Sequence, residues 1–400
     1  MQVTPTTDVT VTRTQMALDA RVTYLNAGSF GPPSRRTADT VAALRDQLVR
    51  DPMDFQLRQV PALLWTARAR LAQFLDADPA RLLFTSNVTE AVSVVAASMA
   101  LQGPAEILMS DQEYAPMRWC WERVAARCGM QVRTFALPAR PDDPGEIVQA
   151  AASAMNGRTR VLFVSHVLSA TGMILPVREL CAMARRRAIV SVVDGAHGPG
   201  FLPLALRDLD CDYYAGSGHK WLMAPAGTGF LYAGSAAVES LEPLHVSGGF
   251  HLPEGPQALH ERDRFGSTPA LRRLECAGTR DICPWLAVPA AIDFFESHGS
   301  AEVFQRMRES SDATRARLRG LRGLACMTPV RAGLYGGMTS FVLPPGCDAG
   351  ALQRQLWEQY RVEVGMAQWG TVPLIRVSTH CFNTEAELDL LARALEVLLT

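Results

Sequence analysis

The chain has 400 residues, of which 48% are apolar and 20% are charged, and its formal net charge is -1. This length exceeds one typical hydrophobic core, so we expect two domains in an ordinary globular protein. The small net charge gives no electrostatic reason to bind nucleic acid or anionic lipid. No apolar run reaches the ~20 residues of a membrane-spanning helix.

The N-terminal residues and the cysteines indicate the cellular compartment in which we expect the protein. Residues 1–15 are polar and β-branched, without the basic and apolar regions of a signal peptide. Nine cysteines are scattered between Cys120 and Cys381, without a CxxC pair or a Cys/His cluster. We therefore expect reduced thiols in a cytoplasmic protein, and no metal site.

The first half of the chain predicts alternating strands and helices. Residues 1 to about 20 read as a loosely held arm, followed by a Gly/Pro turn over 24–34. Helices are expected at 35–49, 61–75, 89–101, 117–128, 146–155 and 177–187. Strands are expected at 81–86, 106–110, 131–137, 160–167 and 189–196. Their near-continuous Val, Leu and Ile runs predict a parallel sheet that helices cover on both faces.

Beyond Tyr232 the pattern loosens. Residues 245–284 are rich in Gly, Pro and Arg and predict a loop that is too long to be an idle connector. Helical residues then follow over 289–323, with strands at 338–344 and 373–380 and helices at 351–360 and 385–399. The predicted organisation is an N-terminal arm (1–25), a large domain (26–285) and a small C-terminal α/β domain (286–400), beside which the N-terminal segment is expected to pack.

Lys220 is the only lysine in the chain, since every other residue in the Lys+Arg count is arginine. It stands between His219 and Trp221, in a Gly/Ser turn before a Gly-rich strand. Codon bias explains most of the arginine preference, and a surface lysine that escaped this bias is the alternative reading. We favour a chemical role, because a lysine amine loses its proton and forms a Schiff base with an aldehyde, whereas a guanidinium stays protonated.

Polar residues follow the ends of predicted strands, where ligands bind in open parallel sheets. Thr89 lies at a helix start that would suit a phosphate, although an ordinary N-cap is the alternative. Asp194 is either a turn residue or the partner of a protonated ring nitrogen, since a buried carboxylate needs a pair. His197 is either a structural histidine or a cofactor contact.

The ends of other segments add a serine and two arginines. His166 and Ser169 stand at the end of the strand predicted over 160–167, and AGTRD (277–281) places an arginine beside small polar residues. Arg376 interrupts the apolar strand at 373–380. It forms either a structural salt bridge or a bidentate contact with a carboxylate.

Eight segments carry a family resemblance over nearly the whole chain: LNAGSFGPP, TSNVTEA, DQEYAPM, SHVLSATGMILPVREL, DGAHGPG, YYAGSGHKWLMAPAGTGFLY, AGTRD and RVSTHCFNTEAELDLL. Their order resembles the class V aminotransferase branch of the fold-type I enzymes that use pyridoxal 5'-phosphate (PLP), which includes cysteine desulfurases. SATGMILPV, GSGHKWL and VEVGMAQW are most similar to the isopenicillin N epimerase-like subgroup. The resemblance implies a large domain with a mostly parallel, seven-stranded type of sheet and a smaller C-terminal α/β domain.

The resemblance also implies roles for individual residues. Lys220 would form the Schiff base with PLP and take the α-proton of the substrate. Asp194 would pair with the pyridinium nitrogen, and Tyr114 would stack on the ring. Arg376 and Asn26 would bind the substrate. The other cofactor contacts would be His197 and Ser169 near the ring hydroxyl, Val88, Thr89, Ser217 and His219 at the phosphate, and Thr279 at the phosphate of the second subunit in a homodimer with shared active sites.

Two segments depart from the family pattern. Cysteine desulfurases carry a sulfur-accepting cysteine on the loop that corresponds to VEVGMAQWGTVP, which contains none, so sulfur transfer by that route is not expected. The Tyr-Asn-Thr that usually follows the carboxylate-binding arginine is Phe382, Asn383 and Thr384 here, which removes one hydroxyl near the site.

The predicted function is PLP-dependent chemistry at the α-carbon of an amino acid or amino-acid conjugate in secondary metabolism, as an epimerase or a β-elimination lyase. An aminotransferase is the alternative reaction. A catalytically silent scaffold subunit is the alternative of another class, and the intact Lys220, Asp194 and Arg376 speak against it. A nicotinamide enzyme is disfavoured because Gly195, Gly198 and Gly200 do not form a GxGxxG motif.

Overall fold

The computed structural model describes residues 9–99, 103–234, 238–248 and 267–399. Residues 1–8 of the predicted arm and residues 249–266 of the predicted loop lie outside these ranges. The helices are α1 (Val9–Gln15), α2 (Arg35–Arg50), α3 (Pro52–Asp54), α4 (Val60–Phe74), α5 (Val88–Ser98), α6 (Ala115–Cys128), α7 (Pro144–Ala154), α8 (Val177–Arg186), α9 (Leu206–Leu209), α10 (Pro269–Glu275), α11 (Cys283–Leu286), α12 (Val288–Ser297), α13 (Ser300–Leu318), α14 (Ala349–Tyr360) and α15 (Glu385–Leu398).

The strands are β1 (Thr23–Tyr24), β2 (Leu82–Thr85), β3 (Glu106–Ser110), β4 (Gln131–Phe135), β5 (Thr159–Ser165), β6 (Val190–Gly195), β7 (Tyr213–Ser217), β8 (Gly229–Ala233), β9 (Ala325–Cys326), β10 (Met338–Val342), β11 (Val362–Glu363), β12 (Gly365–Trp369) and β13 (Val372–Ser378).

A seven-stranded sheet forms the centre of the fold, in the order β2-β8-β7-β6-β5-β3-β4. Neighbouring strands are parallel except at β8, which runs antiparallel to both β2 and β7. The prediction of an α/β fold with a mostly parallel, seven-stranded sheet is therefore confirmed. Because β5, β6 and β7 are parallel, their carboxyl ends meet at one edge.

Both faces of this sheet are covered by apolar clusters. Along β5, Leu162 and Val164 belong to one cluster, whereas Val161 and Phe163 belong to another. Successive side chains of a strand point to opposite faces, so a strand buried on both sides needs an unbroken apolar run. This is the physical reason why the sequence pattern located these strands.

A second, four-stranded sheet has the order β12-β13-β10-β9 and packs into a third apolar cluster. The short strand β1 pairs in parallel with β11, so the N-terminal segment lies beside the C-terminal part of the chain. β11 and β12 were not predicted, because β12 is only partly buried at a sheet edge and its residues do not alternate clearly. The domain boundaries stay a prediction.

Two predictions about local structure were wrong. The helical stretch over 289–323 is not continuous, because Gly299 adopts a φ of 73° between α12 and α13. Glycine tolerates this positive φ, and a separate helix, α13, begins at the next residue, Ser300. The predicted loop over 245–284 contains α10, whose Leu271 and Glu275 are buried.

An ion pair inside the protein anchors α10. Arg68 of α4 is 1% exposed, and its guanidinium binds the Glu275 carboxylate. Glu275 also accepts a hydrogen bond from the Phe84 amide of β2, at 2.6 Å. One carboxylate therefore joins a helix of the predicted loop to the edge of the central sheet.

We expect Glu275→Ala to lower the free energy of unfolding by about 3–5 kcal/mol, because it leaves the buried Arg68 charge without a partner. Chemical denaturation of the variant measures this loss. Arg50→Ala is the matched control, since it breaks an exposed i,i+4 pair with Asp46 and should change the value by less than about 1 kcal/mol. Equal effects of the two substitutions would contradict an anchoring role for Glu275.

Candidate active site

A cavity of about 430 Å³ opens at the carboxyl ends of the central strands. Ser165, Asp194 and Ser217 reach it from the ends of β5, β6 and β7. All the predicted site residues line it except Asn26 and Thr279, both of which belong to the described residues. Those that line it are Val88, Thr89, Tyr114, Ser169, Asp194, His197, Ser217, His219, Lys220 and Arg376.

Lys220 lies in the turn between β7 and β8, against the segment that follows β1. The Gly31 amide donates to the His219 carbonyl at 2.8 Å, and a methyl group at Gly31 would stand 1.7 Å from the Lys220 carbonyl oxygen. Only glycine allows this approach. Burial lowers the pKa of Lys220 to about 8, and this effect outweighs the nearby Asp194 charge, which raises the pKa. More of the amine is therefore in its nucleophilic, neutral form than in an exposed lysine.

Asp194 is a buried carboxylate, and no cation of the described residues forms an ion pair with it. Its Oδ1 accepts one hydrogen bond, from the Ala196 amide at 2.9 Å. Burial raises its pKa, while the Ala196 bond and the charge of Lys220 lower it. A carboxylate held in this way is stabilised by a protonated ring nitrogen placed against it. The turn-residue alternative accounts for the Ala196 bond but not for the position in the cavity.

The start of α5 supplies the part of the cavity that suits a phosphate. Asn87, not Thr89, is the N-cap, and its side chain accepts from the Glu90 amide at 2.9 Å. The capping alternative for Thr89 is therefore wrong. The amides of Val88 and Thr89, in the first turn, have no partner within the helix, and the helix dipole favours an anion there.

Ser217 and His219 line the same cavity as the start of α5. The Nδ1 of His219 lies 3.3 Å from the Thr228 carbonyl, to which it donates. Burial lowers the pKa of His219, which favours the neutral ring; with its hydrogen on Nδ1, Nε2 carries a lone pair and accepts. The α5 amides and the Ser217 hydroxyl would donate to a phosphate, and Nε2 of His219 would accept from a protonated phosphate oxygen.

Arg376 is held by hydrogen bonds to three residues, none of them charged. Nη1 donates to the Ser169 carbonyl at 2.7 Å, and Nη2 donates to Ser29 Oγ at 2.7 Å and to Asn26 Oδ1 at 3.3 Å. Nε is buried and, within the described residues, has no hydrogen-bond partner. Burial lowers the pKa of Arg376 to about 10, and an anionic ligand would compensate this charge. These contacts are with neutral groups, so the salt-bridge alternative is wrong within the described chain.

Asn26 and Thr279 occupy positions that differ from the rest of the set. Asn26 is buried behind Arg376, and its amide group donates to Glu363 at 3.2 Å, so it orients the arginine. Thr279 is exposed and lies outside the cavity of its own chain. Tyr114 lines the cavity with its side chain 53% exposed, as N-cap of α6. The roles assigned to these residues stay predictions.

Three further residues belong to the site although the sequence pattern did not single them out. Ser29 binds Arg376, and Trp221 donates its indole N–H to His197 Nδ1 at 3.0 Å. Glu113 is half-buried and accepts from the Ser165 amide at 3.0 Å; desolvation raises its pKa to about 7. All three residues lie within segments that carry the family resemblance. Their side chains contact other residues of the site, and such contacts cannot be read from the sequence.

The cavity fits PLP by its donors and charges. It holds one amine with a lowered pKa, a desolvated carboxylate, a helix N-terminus for a phosphate and a guanidinium with an unpartnered Nε. Among the described residues, no group of three or more His, Cys, Asp or Glu is arranged to hold a metal ion. In the same part of the chain, no helix is long and apolar enough to cross a membrane.

Comparison with known proteins gives two kinds of relatives. The sequence model of the aminotransferase class-V family matches residues 53–391. Isopenicillin N epimerases from Streptomyces clavuligerus and Amycolatopsis lactamdurans are 53% and 54% identical over 386 and 389 residues, which cover 96% of this chain and 97% of each epimerase.

The solved structures that match include two of C-DES. A lysine-to-alanine variant of C-DES, with glycine covalently linked to its PLP cofactor, has a TM-score of 0.84 and 26% identity over 96% of this chain and 99% of that chain. The cystine C–S lyase C-DES in complex with its product cysteine persulfide has a TM-score of 0.82 and 26% identity, over 95% and 98% of the chains.

We expect the Lys220 amine to titrate near pH 8 in the cofactor-free protein, because burial disfavours its charge. Labelling with [13Cε]lysine gives a single lysine resonance, whose pH titration reports this group alone. Asp194→Asn should lower the midpoint further, since it removes a charge that stabilises the ammonium. Asp210→Asn, at an exposed pair with Arg185, is the control and should leave it unchanged. A midpoint near the ordinary value of 10.5 would contradict the buried setting of Lys220.

Proposed function

Because the chain belongs to the class V aminotransferase family and is a PLP-dependent enzyme, we propose that it inverts the amino-bearing α-carbon of isopenicillin N or a closely related amino-acid conjugate. The observation that carries this proposal is the identity above one half to two isopenicillin N epimerases over almost the full length. The cavity supplies groups for each requirement of such a reaction.

The cofactor is held by residues from several strand ends. When bound, PLP supplies an electron sink that stabilises negative charge at the substrate α-carbon. We assign the ring nitrogen to Asp194, the ring face to Tyr114 and the ring hydroxyl to His197 and Ser169. The phosphate is assigned to Val88, Thr89, Ser217 and His219, because these surround the start of α5.

Lys220 is the group that carries the proton. Its Nζ would hold the cofactor, and as a free amine it would accept the α-proton of the substrate. Arg376 lines the cavity, and we assign the substrate carboxylate to its guanidinium, which would fix the α-carbon relative to Lys220. Ser29, Asn26 and Ser169 hold the guanidinium in this orientation.

A β-elimination lyase is the second candidate, and the similarity to the cystine C–S lyase C-DES favours it. Both reactions begin with removal of the α-proton, so the residues described so far serve either. Sulfur transfer in the manner of a cysteine desulfurase has less support, since β11 and β12 take the place of the cysteine-bearing loop and contain no cysteine.

The reaction is tested by incubating the holoenzyme in heavy water with isopenicillin N, and separately with L-cystine. We expect deuterium at the α-carbon and loss of stereochemical purity with isopenicillin N, without release of a keto acid. Release of pyruvate and persulfide from cystine, with no exchange in isopenicillin N, would replace the epimerase by the lyase. Keto-acid formation that needs an acceptor would indicate an aminotransferase.

Lys220→Arg should abolish turnover in this assay, because a guanidinium neither attaches the cofactor nor accepts the α-proton at neutral pH. Borohydride reduction of the wild-type holoenzyme should fix the cofactor on the Lys220 peptide, as seen by mass spectrometry. Arg50→Lys, which adds a lysine on the exposed side of α2, is the control and should carry much less label than Lys220, because an exposed amine is mostly protonated at neutral pH. A rate near that of the wild type in Lys220→Arg would remove Lys220 from the mechanism.

We also propose a cytoplasmic homodimer in which the two chains share their active sites. All nine cysteines are free thiols, which is typical of a reducing compartment. Thr279 is exposed and outside its own cavity, on a segment tied to the core through α10 and the Glu275 anchor. We assign its hydroxyl to the cofactor phosphate of the second chain, where it would close the site against water.

Mixing inactive Lys220→Ala with a severely impaired Thr279→Ala chain should restore part of the activity, because half of the sites in a mixed dimer contain both intact groups. Subunit exchange is followed by native mass spectrometry. Mixing Lys220→Ala with Asp194→Asn is the control. Lys220 and Asp194 of one site come from the same chain, so each site of a mixed dimer lacks one of the two groups and stays impaired. Exchange without recovery would contradict the shared site.

A further inference from the structure

Trp221 follows the reacting lysine directly in the chain, and its side chain is fully buried. Its ring lies 4.6 Å from that of Phe201 and is stacked at 6.0 Å on His380. The indole N–H makes a polar contact besides this packing, because it donates to Nδ1 of His197, 3.0 Å away.

This contact decides which nitrogen of His197 carries the proton. An indole nitrogen only donates, so Nδ1 of His197 must accept, and the neutral imidazole has its hydrogen on Nε2. Nε2 in turn lies 3.2 Å from Nζ of Lys220. A protonated lysine has no lone pair to accept this hydrogen, whereas the neutral amine does. The order of donors thus runs from Trp221 through His197 to the amine of Lys220.

A second histidine keeps Trp221 in place. Nδ1 of His380 accepts from the Cys381 amide at 2.9 Å, so its hydrogen lies on Nε2. Nε2 is 2.8 Å from the Trp221 carbonyl and donates to it. The backbone of Trp221 is therefore bound on one side and its ring is packed on another, which leaves the indole little freedom to turn away from His197.

We propose that Trp221 is a positioning residue that fixes His197 in the tautomer with its hydrogen on Nε2. In this tautomer His197 donates to Lys220 and thereby favours the neutral amine of that lysine. The inference rests on the proposed function only in taking Lys220 as the reacting amine. It concerns the protein groups themselves, and they are accessible to measurement without substrate or cofactor.

The other groups that act on Lys220 are charges, and they are separable from this effect. Asp194 favours the ammonium form, whereas Arg376 disfavours it, and His219 lies in the same cavity. Burial and the charges of Lys220, Arg376 and His219 lower the pKa of His197 well below its ordinary value, so its ring stays neutral where Lys220 titrates. Trp221→Phe removes a neutral donor and leaves all of these charges in place.

The test is the [13Cε]lysine titration of the cofactor-free full chain carrying Trp221→Phe. Without the indole donor, His197 is free to place its hydrogen on Nδ1 and to accept from the ammonium with Nε2. We expect the Lys220 midpoint to rise by about one pH unit, the size of one hydrogen bond. Phe201→Leu is the matched control, because it loosens the packing on Trp221 but keeps the indole N–H, and it should leave the midpoint unchanged.

A double-mutant cycle separates a hydrogen-bond relay from a general loosening of the site. In a His197→Leu background the relay is already broken, so Trp221→Phe should cause no further shift in the Lys220 midpoint. An equal shift in both backgrounds would overturn the proposal. An unchanged midpoint in Trp221→Phe alone would overturn it as well.

A measurement on the wild-type chain does not depend on whether the variants fold. Long-range 1H–15N correlation spectra of the histidine rings distinguish the two neutral tautomers, and loss of one set of signals in His197→Leu assigns His197. We expect the Nε2-protonated form, and an Nδ1-protonated ring would overturn the inference. Because none of these readouts uses turnover, they stay informative if isopenicillin N is not the substrate, and the heavy-water assay tests that separately.

Discussion

The desolvation of a carboxylate and an amine at the same edge of the sheet is the constraint on which the site depends. Asp194 and Lys220 are both buried, and burial shifts the pKa of each group in the direction that favours its neutral form. Neither charge is compensated fully by the other, because no direct ion pair joins them within the described chain. The fold thus holds two groups that a ligand with a basic ring nitrogen and an aldehyde satisfies together.

Other parts of the structure follow from the need to hold these groups. The glycine at position 31 lets the segment after β1 lie against the lysine backbone, and the same segment supplies the serine and asparagine that bind Arg376. Since β1 pairs with β11, and β13 carries Arg376, residues far apart in sequence meet at one guanidinium. The arginine is thereby fixed by neutral oxygens, which leaves its charge available to a ligand.

Much of this arrangement is predictable from the sequence, for identifiable reasons. Strands buried on two faces must be apolar throughout, so the sequence predicts β2 to β6 close to their true bounds, and the single lysine indicates the amine that we propose to react. Edge strand β12 and helix α10 were missed because partial burial and an ion pair, rather than periodicity, hold them. The contact from Trp221 to His197 is not predictable from the sequence, because a tryptophan beside a lysine indicates packing, and only the distance between the two rings' nitrogens identifies the indole as a donor.

The solitary position of Lys220 also bears on how the enzyme acquires its cofactor. A free aldehyde condenses with any accessible neutral amine, and most proteins present many lysines on their surface that compete for it. This chain presents arginines instead, which do not react in this way. No other side chain therefore competes for the aldehyde, and with the proposed role of Lys220 the side chains of each protein chain would take up one cofactor.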